Sequence, residues 1–383
     1  MTEASSFARQ HVNPSFPSVR YEYNPLFPLY FRRSGIPAKD FKFSTPDHFR
    51  KALGPSLEND STKALKFFPP NRIHIVGSAA AGGCLKTSPG VGCTVVDVAV
   101  EVPKEFFLEK DYLDHRYHVK RMAYLKVLQQ HLEKAEWVAS SVYSTHHADV
   151  RKPCLLVKAK KPGDVCLRVL LTIPVHAFPP ARLHHEKANL RSLEIQDDER
   201  LPSPHYNHSI IEDMFMDEHI KYLRDAAEMA EYYEDACVLL KVWAAKRGIL
   251  GAPDGFNGFV LSMILANLIC SGKLSPQMDA QQLVKGALSL LSNPATLKAG
   301  FTATGVKQNV ASWRNMFPLI FVGPCGYVNI GARISRCAMD EFIHEAALSS
   351  SVLERGGRTA FEQVFLVSLY PAVRYDLHVH IKI

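Results

Sequence analysis

The chain has 383 residues, 47% of them apolar, and carries a formal charge of +7. That length holds two or three domains and that apolar fraction builds a sizeable core, which excludes a wholly disordered chain. The basic balance permits a polyanion partner without demanding one. The eight cysteines never fall at CxxC spacing, which argues against a zinc finger and suits a reducing compartment. No apolar run reaches the about 20 residues of a membrane span, and the first ten residues lack the basic-then-apolar pattern of a secretory signal.

Residues 1–66 read as an irregular, aromatic-rich arm, because Pro14, Pro17, Pro25, Pro28, Pro37 and Pro46 interrupt long regular elements. Residues 70–101 then read as strand, Gly-rich turn, strand: Ile73 to Val76, the turn Gly77-Ser78, and an apolar run from Val95 to Val100 that carries Asp97. The periodicity of Leu113, Tyr117, Tyr124, Leu128 and Leu132 predicts a helix over 111–134. Two apolar strands follow, Cys154–Val157 and Val165–Ile173, joined by a basic turn containing Lys158, Lys160 and Lys161. Residues 179–206 are a Pro-rich connection. Beyond them the pattern turns helical, with faces at Ala236, Leu239, Leu240 and Trp243 and at Phe256 through Asn267. Gly272 reads as a helix stop. Further helices are expected over 280–292 and 336–353, and a strand pair over 317–331 turned at Gly323-Pro324.

A strand, a Gly-Ser turn and a second strand bearing an acid form the layout of a nucleotidyltransferase core. Nucleotidyl transfer uses two metal ions clamped by carboxylates. Two of these stand at i and i+2 on one strand, about 6.8 Å apart on a common face. Here Asp97 has Val95 at i−2 and Ala99 at i+2, and Glu101 lies roughly 13 Å along the strand. The neighbouring strand Val165–Ile173 offers Arg168 and Thr172 and no acid. A lone carboxylate holds Mg²⁺ poorly. Two readings of Asp97 stay open: a relic or structural residue, or one ligand of a site completed by Asp149 or Asp164.

Basic groups that could meet RNA phosphate are Arg116, Lys120 and Arg121 beside the helix stripe, and Lys158, Lys160 and Lys161 in the turn. Such sets are more often a solvated turn or a solvated helix face. The pairs His146-His147 and His184-His185 fall in polar loops with no third ligand spaced to support a metal, so no metal site or cofactor is expected. Trp243 reads as a core anchor.

The segment Leu239-Leu240-Lys241-Val242-Trp243-Ala244-Ala245-Lys246-Arg247-Gly248, followed by Gly255-Phe256-Asn257-Gly258-Phe259, resembles the helical domain of poly(A) polymerases and oligoadenylate synthetases. Further motifs extend the resemblance: Phe68-Pro69-Pro70, Val76-Gly77-Ser78, Val96-Asp97-Val98-Ala99-Val100-Glu101, Lys110 to Tyr117, Lys120-Arg121, Pro204-His205-Tyr206-Asn207 and Ile211-Glu212-Asp213. Together they resemble the Nrap family, nucleolar RNA-associated proteins of the small-subunit processome. The resemblance implies an α+β chain. Its parts are an arm over 1–66, a nucleotidyltransferase-like mixed-sheet domain over 67–207, a mainly helical domain over 208–358 and a possible start of a second such unit over 359–383. It implies a catalytically dead cleft in which Gly77, Ser78 and Asp97 are relics. It also implies a non-catalytic structural role in the nucleolus and nucleus during pre-18S rRNA processing. The implied partners are pre-rRNA, the small nucleolar ribonucleoprotein, a smaller rRNA-processing protein and casein kinase 2, with no membrane. The alternatives are an active template-independent RNA nucleotidyltransferase and a protein-docking module without RNA contact.

Overall fold

The structure, a computed structural model, describes residues 38–53, 63–85, 93–160, 165–191, 200–303 and 310–369 with Leu377 and Val379. The prolines from Pro14 to Pro37, Lys161, Asp164 and most of 370–383 lie outside the described residues.

Among its described residues, the expected irregular lead-in forms regular elements at Lys39–Phe43, Asp47–Leu53 and Lys63–Phe67. Strand β1 (Lys39–Phe43) pairs antiparallel with β2 (Lys63–Phe67), and helix α1 (Asp47–Leu53) lies between them in sequence. Pro46 does not break this structure, because it stands just ahead of the helix start, where a missing N–H costs nothing. Its carbonyl accepts from Arg50 N–H at 2.9 Å. Phe41 and Phe43 share a strand face. Phe43, Phe49 and Leu53 cluster with Val119, Met122 and Ala123.

The central sheet has the order β3-β4-β7-β6-β5, formed by β3 (Arg72–Val76), β4 (Thr94–Glu101), β5 (Val138–His146), β6 (Asp149–Ala159) and β7 (Val165–Thr172). Strands β4 and β7 run parallel and the other pairings are antiparallel. Between β3 and β4 the chain makes one helical turn, α2 (Gly77–Ala80). Strand β5 escaped the sequence reading because Val138-Ala139-Ser140-Ser141 alternates weakly. As an edge strand it packs on one side only and needs less apolar content.

Helix α3 (Arg116–Leu132) covers one sheet face, with Tyr117, Tyr124, Leu128 and Leu132 buried against Val98, Val100, Leu155, Val169 and Leu171. It starts at Arg116 rather than 111. Asp114 (φ 51°) and His115 (φ 60°) are left-handed, and the Asp111 carboxylate accepts from Leu108 N–H at 2.7 Å, which fixes 108–111 as a turn.

The opposite sheet face, with Val76, Ala99, Cys154 and Leu170, meets Ile220 of the helical domain. That domain comprises α4 (Pro204–Ile211), α5 (Met216–Met229), α6 (Tyr233–Lys246), α7 (Gly258–Cys270), α8 (Ala280–Leu291) and α9 (Arg336–Arg355), with shorter turns between. Asn257 caps α7 by accepting from Val260 N–H at 3.0 Å, and residues Val260 through Ile269 are buried all round, so α7 is the domain's centre. Trp243 is a core residue whose Nε1–H donates to Ser349 Oγ at 2.8 Å. The expected strand pair over 317–331 is corrected. It is reduced to one antiparallel bridge, Val322 with Asn329, across the turn at 323–328, with Gly323 N–H donating to Val328 O at 2.9 Å and Ile330 N–H to Phe321 O at 2.8 Å, while Phe321–Val322 pairs in parallel with Phe301–Thr302. The expected new unit from 359 is also corrected as far as Leu369. Phe361, Val364 and Phe365 are buried in the helical core, and Leu369 N–H donates to Lys246 O at 2.9 Å.

Candidate functional site

The two domains enclose a cavity of about 340 Å³ lined by Gly77, Ser78, Asp97, Arg168, Lys152, Glu212, Lys241 and Arg333, among others. The sequence-derived trio Gly77, Ser78 and Asp97 does converge there. Register explains it: Asp97 on β4 stands opposite Val76 on β3 and opposite Arg168 on β7. Gly77 turns the chain away at φ +65°, and a Cβ on it would fall 2.5 Å from Asp97 Oδ2, so this close approach requires glycine.

Arg168 stands where a third carboxylate would. Its Nε and Nη2 donate to Asp97 Oδ1 and Oδ2 at 2.6 and 2.9 Å, a two-pronged charged pair. Burial opposes charge on Arg168, yet Asp97 holds its guanidinium above the ordinary value. The i−2 position, Val95, faces Cys166. Glu101, at the far end of β4, pairs with Arg72 at 3.3 Å.

The proposed completion through Asp149 does not occur. Asp149 accepts from Arg151 Nε and Nη2 at 2.9 and 2.8 Å and from Arg333 at 3.4 Å. Although burial would raise it, Arg151 and Arg333 keep its carboxyl well below the usual range. The other acids are similarly held. Glu212 receives Arg333 at 2.6 and 2.7 Å and also Lys152. Asp213 receives Tyr117 Oη–H at 2.7 Å, Arg121 Nε at 3.2 Å and Lys152 Nζ at 2.6 Å. Among the described residues, each carboxylate lining this cavity therefore has a cationic partner. Mg²⁺ would have to displace a guanidinium or ammonium to gain an oxygen ligand.

The same groups bind the domains to each other. Lys152 of β6 reaches Glu212, Arg333 reaches Asp149 at 3.4 Å, Lys241 Nζ donates to Gly83 O at 2.7 Å, and Arg224 Nε donates to Ala80 O at 3.2 Å. The pair His146-His147 is not an incidental loop pair. It closes β5 beside the cavity, and His147 Nδ1 meets Asn257 Nδ2 at 3.3 Å. Burial pushes His147 down to about 3.

The basic candidates separate. Arg121 is corrected: it lies four residues after Tyr117, inside the core stripe, and is buried in the Asp213 network. Lys120 is half-buried, pairing with Asp111 at 2.7 Å and donating to Phe106 O at 3.0 Å. Arg116, Lys158 and Lys160 are exposed. Lys158 stands opposite Cys166 on β7, two residues before Arg168, so by the strand period it shares the cavity-facing side of the sheet. Sequence reasoning missed Lys152, Glu212 and Arg333 as cavity residues.

The mixed sheet, the Gly-Ser turn beneath its acid-bearing strand and the helical domain closing over one cleft define a nucleotidyltransferase fold. Solved structures agree at the level of fold. E. coli MS115-1 CdnC with ATP is 14% identical, at TM-score 0.52, over 94% of this chain and 96% of that one. The Cid1 poly(U) polymerase is 10% identical, at TM-score 0.52, over 96% and 99%. Residues 38–229 match the family described as Nrap protein domain 1, and 232–368 match the Nrap protein PAP/OAS-like domain. The chain belongs to the Nrap family. Among its relatives, Nucleolar protein 6 of Mus musculus is 30% identical over 334 residues, and that of Homo sapiens 27% over 336. Each match takes in 83% of this chain and 28% of the relative, so the chain spans under a third of those proteins' length. The chain is a nuclear, nucleolar protein, in keeping with these relatives.

Proposed function

We propose that this chain is a non-catalytic scaffold unit acting in ribosome biogenesis, within the small-subunit processome during pre-18S rRNA processing. The observation that carries the reading is the Asp97–Arg168 pair. Asp97, the acid of β4 that lines the cleft, is neutralised from the neighbouring strand, and the i−2 position is Val95. Two metal ions need convergent carboxylates, and this cleft supplies ion pairs that fasten its walls. The cleft is thereby a domain joint. In this reading the chain meets pre-rRNA and the small nucleolar ribonucleoprotein through exposed cations such as Arg116, Lys158 and Lys160. A smaller rRNA-processing protein and casein kinase 2 are its protein partners. In-cell crosslinking of the tagged chain, with sequencing of attached RNA, tests it. Reads concentrated in precursor small-subunit rRNA or its guide RNAs are expected. Reads at untemplated tails of diverse RNA 3′ ends would overturn the reading in favour of an active transferase, and near absence of RNA would overturn it in favour of a protein-docking module.

A further inference from the structure

We infer that His184, His185 and Glu186 form a binding site for a divalent transition metal of the zinc class, at the seam between the two domains. The third ligand, Glu186, directly follows the two histidines in sequence, and the fold turns its carboxylate back toward His184. The donor atoms of the three side chains all lie within 4.8 Å of one another. His184 Nδ1 is 3.5 Å from Glu186 Oε2, and the two imidazole centroids are 3.9 Å apart. Donors bound at about 2.0–2.2 Å to a tetrahedral ion sit roughly 3.3–3.6 Å from each other. Glu186 is exposed and His184 half-buried, so both side chains have room to move toward the held imidazole of His185.

The backbone that carries these donors is already fixed. Lys187 N–H donates to His184 O at 2.9 Å, and the buried Asn207 Nδ2 donates to the same carbonyl at 2.8 Å. His185 is buried with its ring against Trp313, centroids 4.9 Å apart, and its Nε2 is 2.9 Å from Ser312 Oγ. With the proton on Nε2 donated to Ser312, Nδ1 presents a lone pair. That is the outer hydrogen bond by which proteins set the tautomer and angle of a ligating histidine. The three ligands come from the connection after β7, and Ser312 and Trp313 come from the helical domain, so binding would also brace the joint. Two imidazoles and one carboxylate suit Zn²⁺ and its neighbours over Mg²⁺, which prefers all-oxygen shells. Three protein ligands leave a position open for water or a partner's side chain. Beside them lies a second cavity, of about 310 Å³, walled by Trp313, Phe317 and Tyr327.

The test uses the whole chain after chelator treatment, titrated with Co²⁺ by visible absorption and with Zn²⁺ by calorimetry. One equivalent with tetrahedral or five-coordinate Co²⁺ bands is expected. His184→Ala and Glu186→Gln should each weaken that event tenfold or more, and Ser312→Ala roughly tenfold. His147→Ala, in the main cavity, should leave it unchanged. Far-UV circular dichroism of the metal-free variants confirms folding, and Zn²⁺ should raise the melting temperature of the parent but not of Glu186→Gln. Equal affinity in the parent and His184→Ala, or loss confined to His147→Ala, overturns the site.

Discussion

Removing both members of the Asp97–Arg168 pair should destabilise the chain by less than the sum of removing each alone. Asp97 is 8% exposed, and the Arg168 side chain is 30% exposed. Breaking a buried pair from one side costs about 3–5 kcal/mol, because a desolvated charge loses its partner. Partial access of water to Arg168 lowers that here to about 2–3 kcal/mol for Arg168→Met. Asp97→Asn should cost less, since the guanidinium can turn toward solvent. The double variant removes both charges, and its cost should fall below the sum of the singles by about 1–2 kcal/mol. Urea unfolding of the four proteins at one pH gives the cycle. Additive costs, or an Arg168→Met cost under about 0.5 kcal/mol as for an exposed pair, would refute the view that this pair is a structural element of the cleft.

Arg121→Met should cost on the order of 3 kcal/mol in urea unfolding, since the Asp213 network is buried; a cost under about 1 kcal/mol would show a solvated helix face instead. Stability should fall on acidification from neutral pH. Burial pushes His208 to about 3 and His219 to about 4, so the unfolded state takes up their protons first, near its ordinary value of 6.5. The folded form then loses up to about 1.4 kcal/mol per pH unit per group as pH drops from about 6.5 toward those values. Urea midpoints at pH 7 and pH 5 measure this, and an unchanged midpoint would contradict it. Gly77→Ala should cost about 1–2 kcal/mol through its left-handed backbone alone, with crowding of Asp97 added, read as a lower melting temperature. Lys158→Glu with Lys160→Glu should flatten the log–log salt dependence of single-stranded RNA affinity by about 0.7 for each phosphate that the two lysines neutralise in the parent. An unchanged slope removes that turn from the RNA surface.

Much of the fold was legible because its signals are local. Apolar runs marked β4, β6 and β7, and the 3.6-residue period marked α3, α6 and α7. The missing second carboxylate needed only the strand period of two. Pairing across the sheet was less legible: nothing near Arg168 in sequence says that it lies opposite Asp97, since that depends on the parallel register of β4 and β7. Arg121 misled because a charged residue beside an apolar stripe is usually solvated, and its partner Asp213 is 92 residues away. Weakly alternating β5 was missed for want of apolar content, and the ribbon at 39–67 was obscured by prolines that flank its elements rather than interrupt them.

The central claim is that the cleft holds its walls together and transfers no nucleotide. The direct measurement is extension of a labelled RNA oligonucleotide by the purified chain with each nucleoside triphosphate, in Mg²⁺ and in Mn²⁺, beside Asp97→Ala and a known active transferase. No extension by the parent, and an identical blank for Asp97→Ala, is the expected result. Metal-dependent extension that disappears in Asp97→Ala would contradict the account.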